Sequence, residues 1–224
     1  MSGKLIVIEG QDGSGKKTQV EKLVARLIKE ISADRVKTIA FPRYGQPSAK
    51  KVELYLRGEL GPTETINAYE ASTYYAHDRF AAAIIIRSWL IGSSTVIADR
   101  YTASNLAHQG GKIKDKNERY RFFQWLNWFE FESLNNPRPT LNLILDVPAE
   151  ISFEASKQRA IKEGRSLDGH EINFDHIKAA ADVYKELAEL FPNEYRLIDC
   201  LENGQWLSPE VIHEKVWQTI KLLL

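Results

Sequence analysis

The stretch Gly10-Gln11-Asp12-Gly13-Ser14-Gly15-Lys16-Lys17-Thr18 holds the residue types that suit polyphosphate chemistry. Its glycines let the backbone curl until successive N–H groups converge on one point, and a following helix start would add its partial positive charge. Gly10, Gly15 and Lys16 meet the spacing G-x-x-x-x-G-K, in which the lysine reaches the outer phosphates. The next position normally carries a hydroxyl that ligates magnesium, and here it is Lys17, with Thr18 one place late. A glycine-rich turn that binds nothing is the bland alternative. Against it, the apolar run Leu5-Ile6-Val7-Ile8 precedes the loop and Val20, Leu23, Val24, Leu27, Ile28 and Ile31 follow it, which is strand, loop and amphipathic helix in the required order.

A second set of reactive types falls just after predicted strands. Asp99 follows Val96-Ile97-Ala98, where a carboxylate would orient magnesium or its waters in front of the sheet. A strand-end aspartate equally caps a turn. Arg100 and Arg43 are expected to project from two strand ends toward one crevice, where two guanidinium forks suit a phosphate other than the one on Lys16. Taken singly, each arginine reads as a surface ion-pair partner. Tyr75 and Arg79, four apart in a predicted helix, share a face and can stack on a flat base while bonding its edge; Tyr74 is the alternative core residue. Lys157, Arg159, Lys162 and Arg165 surround Gly164, and such a basic segment either closes over a transferring phosphoryl group or forms a solvated loop.

The elements that must position these groups alternate. After the first helix, 36–41 reads as a strand stopped by Pro42, and the segment up to Arg57 as helical. A long helix over 63–90, a strand over 95–98, a loop from Asp99, a helix over 118–134 and a strand over 141–145 follow. Helices over 150–161 and 174–190 flank the charged excursion 162–171, then come a strand over 195–198 and a last helix opened by Ser208-Pro209-Glu210. With no hairpin signal read between strands, this predicts an α/β fold with three layers, a parallel sheet of about five strands covered on both faces. Ligands bind at the carboxyl ends of such strands.

The chain has 224 residues, 43% hydrophobic and 27% charged, which predicts one domain over 1–224 with a lid segment around 157–171. Thirty basic residues balance thirty acidic ones, so no overall field argues for nucleic acid or an anionic membrane. The single cysteine, Cys200, excludes an internal disulfide and fits a reducing compartment. No charged leader precedes the first strand, and 81–91 is interrupted by Arg87 and Ser88, so a cytoplasmic protein is expected. Tyr120, Phe122, Phe123, Trp125, Trp128, Phe129 and Phe131 exceed what one buried face needs, and with Glu118, Glu130 and Glu132 among them a core plus a subunit contact is expected.

These motifs resemble the thymidylate kinases of the nucleoside monophosphate kinase group. The resemblance rests on 9–19, Phe41-Pro42-Arg43, Tyr75-Ala76 with Arg79, Asp99-Arg100-Tyr101 with Ser104-Asn105, Pro137-Arg138-Pro139, Leu145-Asp146-Val147-Pro148 and 159–171. It implies a P-loop NTPase fold, ATP as donor, dTMP as acceptor, Mg2+ as cofactor and a homodimer. It further implies that Asp12 meets the acceptor 3′-hydroxyl, that Arg100 and Arg43 hold the acceptor phosphate, and that Tyr75 stacks on thymine. Arg79 and Asn105 would read the base edge with Ser104 nearby, and His108 would disfavour a ribose 2′-hydroxyl. Gly13 follows Asp12 where some members carry arginine, so Arg159 and Arg165 would supply that charge, as in the bacterial arrangement. Three departures stand out: Lys17 for the hydroxyl, Arg43 directly after the proline where many members carry the arginine one residue later, and Thr140 at a position commonly aspartate. Two alternatives stay open: a kinase for another nucleoside monophosphate or deoxynucleoside, and a catalytically weakened nucleotide-binding module.

Overall fold

The computed structural model describes residues 3–164 and 166–224, so Arg165 lies outside the described residues. Five strands, β1 (Lys4–Glu9), β2 (Val36–Ala40), β3 (Thr95–Asp99), β4 (Leu141–Asp146) and β5 (Tyr195–Asp199), form a parallel sheet in the order β2-β3-β1-β4-β5. The central strand β1 pairs with both neighbours, Ile8 lying opposite Asp99 on one side and Leu143 on the other. The carboxyl ends therefore stand in one row. Ile6 and Ile8 face one core with Ile97, Leu143 and Leu145, whereas Leu5 and Val7 face another with Val96 and Ala98. This alternation is the period of two that a sheet covered on both faces requires.

The helices are α1 (Lys16–Ile31), α2 (Lys50–Leu56), α3 (Ala68–Ile91), α4 (Thr102–Gly110), α5 (Lys116–Trp128), α6 (Ala149–Glu163), α7 (Phe174–Leu190) and α8 (Pro209–Ile220). Leu23 and Leu27 of α1 meet Val216 and Trp217 of α8 on one face of the sheet, and Ala82 and Ile86 of α3 close part of the other. Ser208 caps α8 by accepting from Val211 N, with Pro209 in the first turn as expected. No helix among the described residues is long and apolar enough to cross a membrane.

Three departures from the sequence reading have local causes. The predicted helix over 63–90 begins at Ala68, where the Asn67 side chain accepts from Tyr69 N at 2.8 Å. The segment after Asp99 is not a plain loop but enters α4, whose amino end receives no side-chain cap from its own residues. Glu9, at the end of β1, takes that role by accepting from Tyr101 N at 2.8 Å and Ser104 N at 3.3 Å. Finally, β6 (Leu201–Glu202) and β7 (Gln205–Trp206) form a short antiparallel hairpin where none was expected. Its turn, Asn203-Gly204, has both φ angles positive, 50° and 75°.

Candidate active site

The phosphate loop occupies the turn between β1 and α1. Gly13 has φ 84°, and a Cβ there would lie 1.9 Å from the Ser152 carbonyl oxygen of α6, so only glycine permits this close approach. Lys16 is buried and donates to the Gln11 carbonyl at 2.8 Å, which curls its side chain back over the loop. Burial, aided by the Arg100 charge, lowers its pKa to about 8. Gln11 is itself fixed, donating to the Val147 carbonyl at 2.6 Å. Ser14 Oγ is buried without a partner among the described residues.

An outer cavity opens in front of this loop, lined by Asp12, Gly13, Gly15, Lys16, Lys17 and Thr18, with Asp99 from β3 and Arg159 from α6. Arg159 is 42% exposed and pairs with Glu171 at 3.2 Å, a carboxylate that also accepts from Ser156 Oγ. A second, inner cavity is lined by Tyr75, Arg79, Ser104, Asn105, Gln109 and His108, with Tyr44, Tyr101 and His170. Asp12, Arg100, Tyr44 and Asp168 line both, so the two cavities meet there.

Arg100 holds the junction. Its backbone is left-handed (φ 65°), and its guanidinium donates to Asp12 at 2.6 Å, Gly10 O at 3.0 Å and Ser104 Oγ at 2.9 Å. Burial works against this charge, and the Asp12 carboxylate together with Tyr184, Asp99 and Glu9 more than offsets it, raising the pKa. Burial alone would likewise push Asp12 up, yet Arg100 and Lys16 hold its carboxyl far below the usual range. Ser104 is fully engaged, since Glu9 and Tyr184 also bond its hydroxyl. Its position serves to fix Arg100. Burial raises the pKa of Glu9, which receives two backbone N–H groups and the hydroxyls of Ser104 and Tyr184.

Two residues that line the inner cavity carry buried amide atoms without a partner among the described residues, Asn105 Oδ1 and Gln109 Nε2, one acceptor and one donor. Asn105 Nδ2 is anchored on the Ser72 carbonyl at 3.1 Å. Arg79 is almost wholly buried, and its Nε lies 3.0 and 3.1 Å from the two Glu130 oxygens, with its NH2 also on Glu130. Glu130 reaches it because α5 widens into a π turn over Phe129–Ser133, and Asn136 Nδ2 bonds the other side of Glu130 at 2.7 Å. Burial opposes the Arg79 charge and Glu130 overcomes it, raising the pKa.

Arg43 differs from expectation. It lines neither cavity; its Nε bonds Asp78 at 2.9 Å and its NH2 bonds Ser48 at 2.7 Å, because Asp78 on α3 faces the end of β2. Tyr44 occupies the crevice instead. His108 stacks on His170 with ring centroids 5.4 Å apart, and its Nδ1 lies 3.1 Å from His176 Nε2. Burial drives the pKa values of His108 and His170 well down and that of His176 down to about 4. Sequence reasoning missed Glu9, Gln109, Glu130, Asp168 and His170. Glu9 lies within the quoted stretch 9–19 and Asp168 and His170 within 159–171, but neither stretch gave them a role, and Gln109 and Glu130 reach the site through tertiary contacts.

The family profile described as thymidylate kinase matches residues 8–209. A thymidylate kinase of Mycobacterium tuberculosis is 37% identical over 186 residues, covering 82% of this chain and 85% of its own. That of Latilactobacillus sakei is 32% identical over 199 residues, with 89% and 88% covered. Among solved structures, a thymidylate kinase from Candida albicans superposes with a TM-score of 0.72 at 23% identity, covering 99% of this chain and 92% of that one, which speaks for the fold. The profile match across the site and the identity to curated relatives together show that the chain belongs to the thymidylate kinase family.

Proposed function

We propose that the outer cavity receives ATP and the inner cavity dTMP, so that the γ-phosphoryl group passes to the acceptor phosphate beside Arg100, giving dTDP and ADP. The observation that carries this reading is the Arg100 guanidinium, which alone among the described arginines lines both cavities and is held by Asp12 at 2.6 Å. Two polyanions repel, and a fixed cation between them stabilises their approach. No general base is required, because a phosphate monoester with a second pKa near 6 is largely dianionic at neutral pH. Lys16 and the loop N–H groups grip the donor phosphates, and Arg159, with Arg165 by analogy, adds positive charge from the lid side.

Tyr75 offers a face to thymine, Asn105 Oδ1 an acceptor for N3–H, and Gln109 Nε2 a donor for a ring carbonyl. A site with such unpaired polar atoms discriminates, since each left unsatisfied costs about 1–3 kcal/mol. Arg79 adds a charged edge, His108 walls the sugar, and Arg43 acts through Asp78, which adjoins Arg79. Thr18 and Asp99 both line the outer cavity beside Lys16, and their hard oxygens fit Mg2+, which would neutralise charge between the phosphates.

Phe80, Ile84 and Ile91 stand 48%, 79% and 84% exposed on α3, apolar surface that supports a homodimer through this helix. Ile84→Glu should shift the molecular mass measured by light scattering toward one chain. The free, buried Cys200 supports a cytoplasmic setting. The deciding experiment is dTDP formation from ATP and dTMP with Mg2+, compared with dUMP, dCMP, UMP and thymidine. Preference for thymidine would leave Arg100 without its task and sink the assignment, and nucleotide binding without turnover would do the same.

A further inference from the structure

Among the described residues, one group of histidines gathers from three separate elements: His108 on α4, His176 in the first turn of α7, and His170 in the segment between α6 and α7. Their nearest ring nitrogens all lie within 4.8 Å of one another, and the closest pair, His108 Nδ1 and His176 Nε2, is 3.1 Å apart. Three nitrogens on a tetrahedral cation at about 2.0–2.1 Å stand roughly 3.3 Å from each other. The rings are stacked, His108 on His170 and His170 on His176, so ligation requires them to turn until their nitrogens converge.

We propose that His108, His170 and His176 form a binding site for a borderline divalent transition cation, zinc foremost, with its fourth position open toward the inner cavity. The donor set argues for it: three imidazoles with no thiolate or carboxylate among them suit zinc and its neighbours and not magnesium or calcium. His108 and His170 are 7% and 5% exposed, and uncharged rings, the ligating form, are what their burial favours. An outer partner is present as well. His170 Nε2 lies 3.0 Å from the Tyr55 hydroxyl, whose oxygen accepts from Lys112 Nζ at 2.8 Å, so the ring is anchored as metal-bound imidazoles usually are. Positive charge on Lys112 and Arg100 opposes a cation here, and the Asp12 carboxylate, which acts on all three rings, counters it.

The three ligands belong to the acceptor wall, to the stretch beyond Gly164 and to α7. A bound ion would therefore add a direct link between segments that packing and side-chain hydrogen bonds such as Ser104–Tyr184 and Ser156–Glu171 already hold. Binding of the metal stands independently of the acceptor assignment, so failure of one leaves the other testable.

The test uses the full chain without any affinity tag, stripped of metal and titrated with Co2+ and then Zn2+ against a chromophoric chelator. One Co2+ per chain with the intense visible bands of tetrahedral coordination is expected, displaced by Zn2+. His176→Gln, which leaves the cavity walls intact, should weaken binding by at least the roughly 10- to 100-fold that follows loss of an outer partner, and should abolish the zinc-dependent rise in melting temperature. Unchanged affinity in His176→Gln, or only weak octahedral bands in the native chain, would overturn the site. Should His176→Gln fail to fold, X-ray absorption at the zinc edge of the native protein decides: three imidazole scatterers support the proposal and fewer refute it.

Discussion

Replacing Glu130 by glutamine tests whether the Arg79 charge is positioned by a partner on a distant turn. Both side chains are buried, 2% and 0% exposed, so solvent screening does not discount their attraction. Glutamine keeps one acceptor oxygen but turns an N–H group toward donors of Arg79 or Asn136. Breaking a buried pair from one side costs about 3–5 kcal/mol, and the retained oxygen places this change near the lower end. At about 2–4 °C per kcal/mol for a chain of this size, the melting temperature should fall by roughly 10 °C. Because Arg79 then loses its fixed orientation at the inner cavity, KM for dTMP should rise while KM for ATP stays put. Urea unfolding and initial rates measure the two effects separately. Arg79→Leu with Glu130→Leu removes both charges and should restore most of the stability while leaving dTMP affinity lost. A Glu130→Gln protein within 1 kcal/mol of native stability and with unchanged dTMP kinetics refutes the reasoning.

Lys16→Ala should lower kcat by about 10²–10³ or more, as removal of a transition-state donor does, whereas Lys17→Thr should leave turnover in place; activity appearing only in Lys17→Thr would reverse the assignment. With the Lys16 pKa at about 8, the free enzyme loses this cation as pH rises through that value, so kcat/KM for ATP should fall on its alkaline limb near pH 8. The kcat profile should hold to higher pH, since bound triphosphate favours the ammonium, and coincident limbs in the two profiles would count against Lys16 as the titrating group. Gly13→Ala sets a methyl 1.9 Å from the Ser152 carbonyl oxygen at a positive φ, so ATP binding measured by calorimetry should weaken by about 5- to 150-fold, the equivalent of 1–3 kcal/mol of strain.

Local signals made the fold legible. The glycine spacing and the apolar runs at 5–8, 96–98 and 141–145 identified the strands and the phosphate loop, because each signal is complete within a few residues. The hairpin at Asn203-Gly204 was equally local and was passed over because its arms are two residues long. Helix α4 gave no helical period, since all nine of its residues are buried and its cap comes from Glu9, far back in the chain. Arg43 could be placed at a strand end from sequence, but which way its guanidinium turns depended on Asp78, 35 residues on. The same holds for Arg79, whose partner is 51 residues away on a widened turn. Motifs thus named the chemistry, while the directions in which charged side chains point were decided by pairings that no spacing rule reports.

Glu9 sits at the end of the central strand and grips the first turn of α4 through Tyr101 N, Ser104 N and the Ser104 hydroxyl. One buried carboxylate thereby ties the start of the phosphate loop to the turn that carries Arg100.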